Sequence, residues 1–232
     1  MLGLVKEIEK KGKVLSHLTD DGRKASKLPV QPIFARALLI ASQHGCLEEA
    51  IGIVACLSTE SVWLEGSSAA ELGRRRLGAA SGDHATMLAA FRAYTQMANK
   101  KGDIESWSAE HGVNSRALAT ARNVARQLRK ELVHQLGLKS SSCGGENEKL
   151  SSSLLPNICI RNERTGGYRW QLQPSVELRI HPTSVLSRSQ PHAIVFSDLV
   201  QTSHIFAKNV TVIDEDWVRA EFEHLKRMSF GS

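Results

Sequence analysis

Apolar residues recur at three- and four-residue spacings through the first two-thirds of the chain and alternate with polar ones through the last third. The first spacing places apolar side chains on one face of a helix and the second on one face of a strand. Near the start, "KVLSHLTDDGRKASKL" alternates around Val14, Leu15 and Leu18, and Asp20 to Gly22 reads as a turn, so a small wing or strand pair beside helices is expected. Leu28 to Pro32 is an extended connector, because each proline biases its predecessor away from helix. Pro32 suits the first turn of a helix carrying Phe34, Leu38 and Leu39 to about His44. Beyond Gly45, Leu47, Ile51, Val54 and Leu57 share one helical face, with Glu48 and Glu49 in the first turn, where the helix dipole favours negative charge. A Gly/Ala/Arg-rich stretch follows and reads as irregular. Asp83 then caps a helix bearing Met87, Leu88, Phe91 and Tyr94. Trp107 belongs to a short element broken by Gly112, and Asn114 or Ser115 opens the longest helix, closed near Leu136 by Gly137.

The grammar changes at "KSSSCGGENEKLSSS" (Lys139 to Ser153), which is polar, small and free of a helical pattern, and reads as a mobile linker and domain boundary. Beyond it, "NICIRN" and "YRWQLQ" flank Thr165-Gly166-Gly167 as a hairpin, and "VELRIH", "HAIVFSDLVQT" and "NVTVI" supply further strands. "EDWVRAEFEHLKRM" closes the chain as a helix. Several short strands and a terminal helix within this length predict a small β-barrel. The fold class is therefore α+β, a helical bundle followed by a barrel.

Composition narrows the function only modestly. The 232 residues carry a formal charge of +6, a lean that suits a polyanionic partner. Cys46, Cys56, Cys143 and Cys159 never form C-x-x-C, which fits a reducing compartment. The start is too charged for a signal peptide, and no run approaches the ~18–20 apolar residues of a membrane span. The nine histidines lack H-x-x-x-H or a neighbouring cysteine pair, so no metal site is expected. No G-x-S-x-G elbow occurs, and no catalytic residue is assigned.

Several landmarks carry a resemblance. "LPVQPIFARALLIASQHGCLEEAIGIVACLS" is similar to the helical region that follows the two motor domains of DEAH-box RNA helicases. "GDHATMLAAFRAY" and "WSAEHGVNSRALATARNVARQL" resemble its next landmarks, and "PNICIRN", "HPTSVL", "VFSDLVQTSH" and "VTVIDEDWV" resemble the oligonucleotide-binding-fold domain that ends those enzymes. The landmarks keep the family's order from about Val14 to Val218. The resemblance implies a degenerate winged-helix remnant over 1–28, a helical ratchet-like bundle over 29–138, the linker over 139–153, and an OB-fold-like domain with its C-terminal helix over 154–232. It also implies nuclear or nucleolar RNA work with single-stranded RNA, motor domains and a regulatory protein as partners. ATP and Mg²⁺ serve the whole family enzyme. This sequence has no G-x-x-x-x-G-K-[ST] loop and no Asp-Glu-Ala-His motif, and Asp214-Glu215-Asp216 is only superficially similar. With nothing to cradle ATP phosphates, no ATPase activity is expected of these residues alone. The chain also departs from the family at Ser108, where cysteine is frequent, and at His204, where lysine is common. A helix preceding the barrel is compressed into the serine-rich stretch.

Arg122, Arg126 and Arg129 fall at i, i+4 and i+7 and form a basic stripe beside the apolar seam of Leu118, Ala125, Leu128 and Leu132. Such a stripe reads either as an RNA-backbone contact or as a solvated, internally paired face. Arg161, Arg164 and Arg169 surround the Gly166-Gly167 turn, with Arg164 the RNA candidate. Tyr168 and Trp170 share a face that reads as a stacking platform or, more commonly, as core. Thr183, Ser184, Thr202, Ser203 and His204 are small polar groups at strand ends, able to meet phosphate or 2′-hydroxyl oxygens or to cap turns, with the cation Lys208 close by in sequence. The expected function is an accessory region that guides single-stranded RNA and docks regulatory proteins; the rival is a protein-interaction platform that touches no RNA, or a helicase fragment without independent activity.

Overall fold

The computed structural model describes residues 3–10, 13–144 and 157–214. The expected terminal helix lies outside these residues, as does the second half of the linker. The chain opens with an antiparallel pair, β1 (Val5–Lys10) and β2 (Lys13–Leu18), in the register Val5 to Leu18 and Ile8 to Leu15. Asp20 to Gly22 departs from the expected turn. These residues begin α1 (Asp20–Ala25), because the Thr19 side chain accepts from the Gly22 backbone N–H and so caps a helix start.

Six helices build the bundle: α2 (Pro32–Gln43), α3 (Leu47–Leu57), α4 (Ser68–Arg76), α5 (Asp83–Asn99), α6 (Ile104–His111) and α7 (Ser115–Arg129). The backbone then widens into a π-helical turn, Lys130–Gln135, before Gly137 reverses the chain at φ 67°. α3 is the axis of the bundle. Residues Leu47 and Glu49 to Cys56 are all buried, more than the single face its spacing indicates, since α2, α5 and α7 pack around it. Helix α4 lies within the stretch that reads as irregular.

The barrel closes in the order β3 (Ile158–Arg161), β4 (Tyr168–Trp170), β5 (Glu177–Ile180), β7 (Ile205–Val212), β6 (Ala193–Gln201) and back to β3. Every pairing is antiparallel except β5 with β7. A helical bundle followed by a five-stranded closed barrel is thus the α+β architecture expected. The barrel has its own core of Cys159, Tyr168, Leu178, Ile194, Phe196, Ala207 and Val210. Tyr168 is inside it, donating its hydroxyl to the Pro191 carbonyl at 2.6 Å, and Trp170 packs edge-on against Phe196 at 5.5 Å. Both aromatics serve the core.

The first part of the linker is pinned to the bundle. The Ser140 and Ser142 hydroxyls donate to Glu48 and Glu49 at 2.7 and 2.5 Å, the Cys143 N–H donates to Glu49 at 3.3 Å, and the Glu48 N–H donates to the Ser141 carbonyl at 3.0 Å. Residues 140–144 therefore lie along the N-terminus of α3.

Candidate nucleic-acid interface

Ser81, Gly82, Asp83 and His84 lead into α5 and hold the barrel against the bundle. Gly82 sits at φ 128° and forms an antiparallel bridge with Thr211, while the Val212 N–H donates to the Ser81 carbonyl at 2.8 Å. A side chain at Gly82 would place its Cβ 2.3 Å from the Val210 carbonyl oxygen, so glycine is required for the approach. Asp83 is the first residue of α5, but its carboxylate turns outward to the barrel. Oδ1 accepts from the Val185 N–H at 2.9 Å and Oδ2 from the Val210 N–H at 2.8 Å, and the Ser184 hydroxyl adds a third bond. Burial pushes the Asp83 carboxyl above its ordinary range, and these three donors work against that rise. His84 is fully buried, with Nδ1 hydrogen-bonded to Thr211 Oγ1 at 2.7 Å. Burial lowers its pKa to about 4, and Nε2 has no partner among the described residues. One carboxylate and one imidazole thus hold two segments of the barrel.

The segment so held is the turn His181 to Leu186. The His181 N–H donates to the Ala207 carbonyl, the Ser184 N–H to the His181 carbonyl, and the Leu186 N–H to the Ser184 hydroxyl. Ser184 is consequently buried and occupied in bracing the turn. Thr183 is exposed, its hydroxyl 2.7 Å from His181 Nδ1. His181 lies edge-on to Phe206 at 5.7 Å, and Phe206 lies 6.2 Å from His204. This aromatic line joins the turn to the β6–β7 hairpin tip, where Thr202, Ser203 and His204 are exposed. Five of the sequence candidates therefore belong to the turn and the hairpin tip, and a sixth, Lys208, lies further along β7.

A cleft of about 350 Å³ separates this end of the barrel from the bundle. Its walls include Trp63, Arg74, His181, Thr183, Asp198 and Lys208. The Arg74 guanidinium stands 5.1 Å above the Trp63 ring. Lys208 Nζ is 2.5 Å from Glu65, and that contact holds the Glu65 carboxyl below its usual range. Burial and the neighbouring Lys208 charge lower His181, disfavouring its charged form. Glu60, Asp83 and Asp198 also face the cleft, so its charge is mixed.

The remaining candidates lie elsewhere. Arg129 is paired with Glu48 at 2.5 Å, and Arg122 donates to Asn99 at 2.9 Å, while Arg126 is exposed. Their helix packs on α3, α5 and α6, so the stripe and the barrel-end group are carried by different elements. Arg164 is exposed at the β3–β4 turn. Sequence reasoning assigned no contact role to Arg74, Trp63, Glu65 or His84. The one available signal was Gly82-Asp83-His84, where a glycine stands before two hydrogen-bonding groups that open an otherwise apolar helix.

Residues 31–87 match the helicase associated domain (HA2), ratchet-like, and residues 148–225 match the oligonucleotide/oligosaccharide-binding (OB)-fold. The chain is 34% identical over 227 residues to the pre-mRNA-splicing factor ATP-dependent RNA helicase DEAH10 of Arabidopsis thaliana, covering 88% of this chain and 31% of that protein. It is 31% identical over 222 residues to the ATP-dependent RNA helicase DHX33 of Drosophila melanogaster, covering 92% and 31% respectively. The Homo sapiens DHX33 is 28% identical over 232 residues, covering 97% and 32%. The chain spans about three-tenths of the length of these relatives.

Proposed function

The chain belongs to the DEAH-box RNA helicase family, as the counterpart of its C-terminal ratchet and OB-fold region, and from that premise we propose that it guides single-stranded RNA across the barrel end facing the bundle. One observation carries the reading. Asp83 fixes the 181–186 turn, and the exposed Thr183, its hydroxyl shared with His181 Nδ1, lines the cleft together with Arg74 and Lys208. Small donors at strand ends, with little beyond Phe206 and two histidines to stack on, suit phosphate and 2′-hydroxyl contacts and give little base specificity. The Lys208–Glu65 pair is exposed enough to be worth at most about 1 kcal/mol, so a phosphate can compete for Lys208. In this account ATP and Mg²⁺ act in motor domains that this sequence does not contain, and the region works beside them. The splicing-factor name of the Arabidopsis relative supports RNA processing in the nucleus.

A second reading rests on a different surface. Val5, Val14, Leu15 and Leu18 are large apolar side chains exposed on the β1–β2 pair, which favours a protein partner there, such as motor domains or a regulatory protein. The two readings separate on one titration. Binding of a fluorescent oligouridylate is measured across a salt series. The RNA reading expects affinity to fall steeply with salt, and a flat response or an absence of binding by the folded chain overturns it.

A further inference from the structure

A second groove lies on the opposite side of the same turn. It measures about 570 Å³ and runs between the end of α4 with residues 78–80 and the segment 182–188. Arg74, Thr183 and Ser184 line both this groove and the cleft, so the turn is a ridge between them. The two sides differ in charge. The cleft places Glu60, Asp83 and Asp198 against Arg74 and Lys208, and Lys208 is countered by Glu65. The groove places Arg74, Arg75 and Arg188 against the single carboxylate Glu71. Arg76, next along α4, is occupied by Glu110 at 2.9 Å, whereas Arg75 and Arg188 are exposed and have no partner among the described residues. Gly78, Ala79 and Ala80 make a floor of small side chains, which lets a polymer backbone approach the guanidiniums closely.

Resting on the RNA reading above, we propose that the single strand crosses the ridge at Thr183 and continues into this groove, with Arg75 and Arg188 as its phosphate ligands. Guanidinium groups meet phosphate oxygens in a bidentate fork, and two arginines on facing walls suit a strand passing between them. An acidic protein segment would find the same charges. The RNA assignment is favoured because Arg74, Thr183 and Ser184 line both the groove and the cleft and make the surface continuous, giving an extended track rather than an isolated basic spot.

The test compares three proteins of matched thermal transition: the wild-type chain, an Arg75→Gln/Arg188→Gln variant, and an Arg116→Gln/Arg169→Gln variant that removes equal charge from exposed sites elsewhere. Each is titrated with an oligouridylate of about 12 nucleotides, within the site sizes typical of OB folds, over a salt series. The groove variant is expected to bind about tenfold more weakly, with a slope of log K against log salt shallower by roughly 1.4, since each single-strand phosphate contact contributes about 0.7. The control pair should change affinity less than about twofold. Equal losses in both variants, or no loss in the groove variant, overturn the proposal while leaving the RNA reading intact. Displacement of the RNA from wild type but not from the groove variant by polyglutamate reassigns the groove to an acidic protein. A wild-type chain that binds no RNA defeats the underlying reading and this proposal with it.

Discussion

The buried imidazole of His84 makes the union of bundle and barrel sensitive to acid. Its pKa lies near 4 in the folded chain, against 6.5 for an unburied histidine, because burial disfavours the charged ring. A group whose folded pKa is depressed contributes stability that is complete above its unfolded value and lost as pH falls toward the folded value. Between pH 7.5 and 5 the unfolded chain takes up a proton that the folded chain refuses. The linkage relation gives a loss of about 2 kcal/mol over that interval, approaching roughly 3 kcal/mol near pH 4. Asp83 is shifted upward and so acts with the opposite sign, gaining stability on acidification in a window above its ordinary carboxylate value. Comparison with His84→Gln isolates the histidine, since both proteins keep Asp83 and glutamine can still hydrogen-bond Thr211. Urea unfolding at a series of pH values is the assay. The wild type should lose about 2 kcal/mol more than the variant between pH 7.5 and 5. Parallel profiles for the two proteins would refute the role given to His84.

Two further substitutions probe the same architecture. Gly82→Ala combines a left-handed φ with a Cβ 2.3 Å from the Val210 carbonyl, whereas Gly45→Ala has a left-handed φ of 75° and open space around it. Thermal unfolding should show Gly82→Ala costing several kcal/mol and Gly45→Ala only about 1–2 kcal/mol, and equal costs would contradict the close docking. Glu49→Ala removes the carboxylate that accepts from the Ser142 hydroxyl, the Cys143 N–H and Arg92, at a cost of about 1–3 kcal/mol. It should also free residues 140–144, so limited trypsin digestion is expected to cut after Lys139 faster than in wild type, and an unchanged rate would refute the pinning.

Much of the fold was legible because periodicity reports burial directly. Pro32, Gly45, Asn114 and Gly137 mark the helix boundaries they were read to mark, and the alternation beyond residue 157 does form a barrel. α4 was not legible, since Ala, Gly and Arg around it offer no apolar stripe and its few buried positions, Ala70 and Gly73, pack through smallness. Asp20 to Gly22 read as a turn because Asp-Gly favours one, but the Thr19 cap and the close approach of Gly22 to the Leu4 carbonyl select a helix. The candidate site was half legible. Thr183 and the 202–204 tip could be picked as polar strand-end residues. The roles of Asp83 and Ser184 could not, because Asp83 reaches donors 102 and 127 residues away, and no local pattern records such contacts. Glu48 and Glu49 satisfied the helix-dipole rule, which hid their second task of holding Arg129, Arg92 and the serine-rich segment. Burial pushes the Glu49 carboxyl upward, and the bonds from Ser142, Cys143 and Arg92 outweigh it and leave the group below its usual range.

The proposed path of RNA over the barrel end at the 181–186 turn is probed by photo-crosslinking the chain to an oligouridylate containing 4-thiouridine and mapping the modified peptides. Crosslinks are expected in residues 181–188 and 202–208. Crosslinks confined to α7 or to the β1–β2 pair would contradict it.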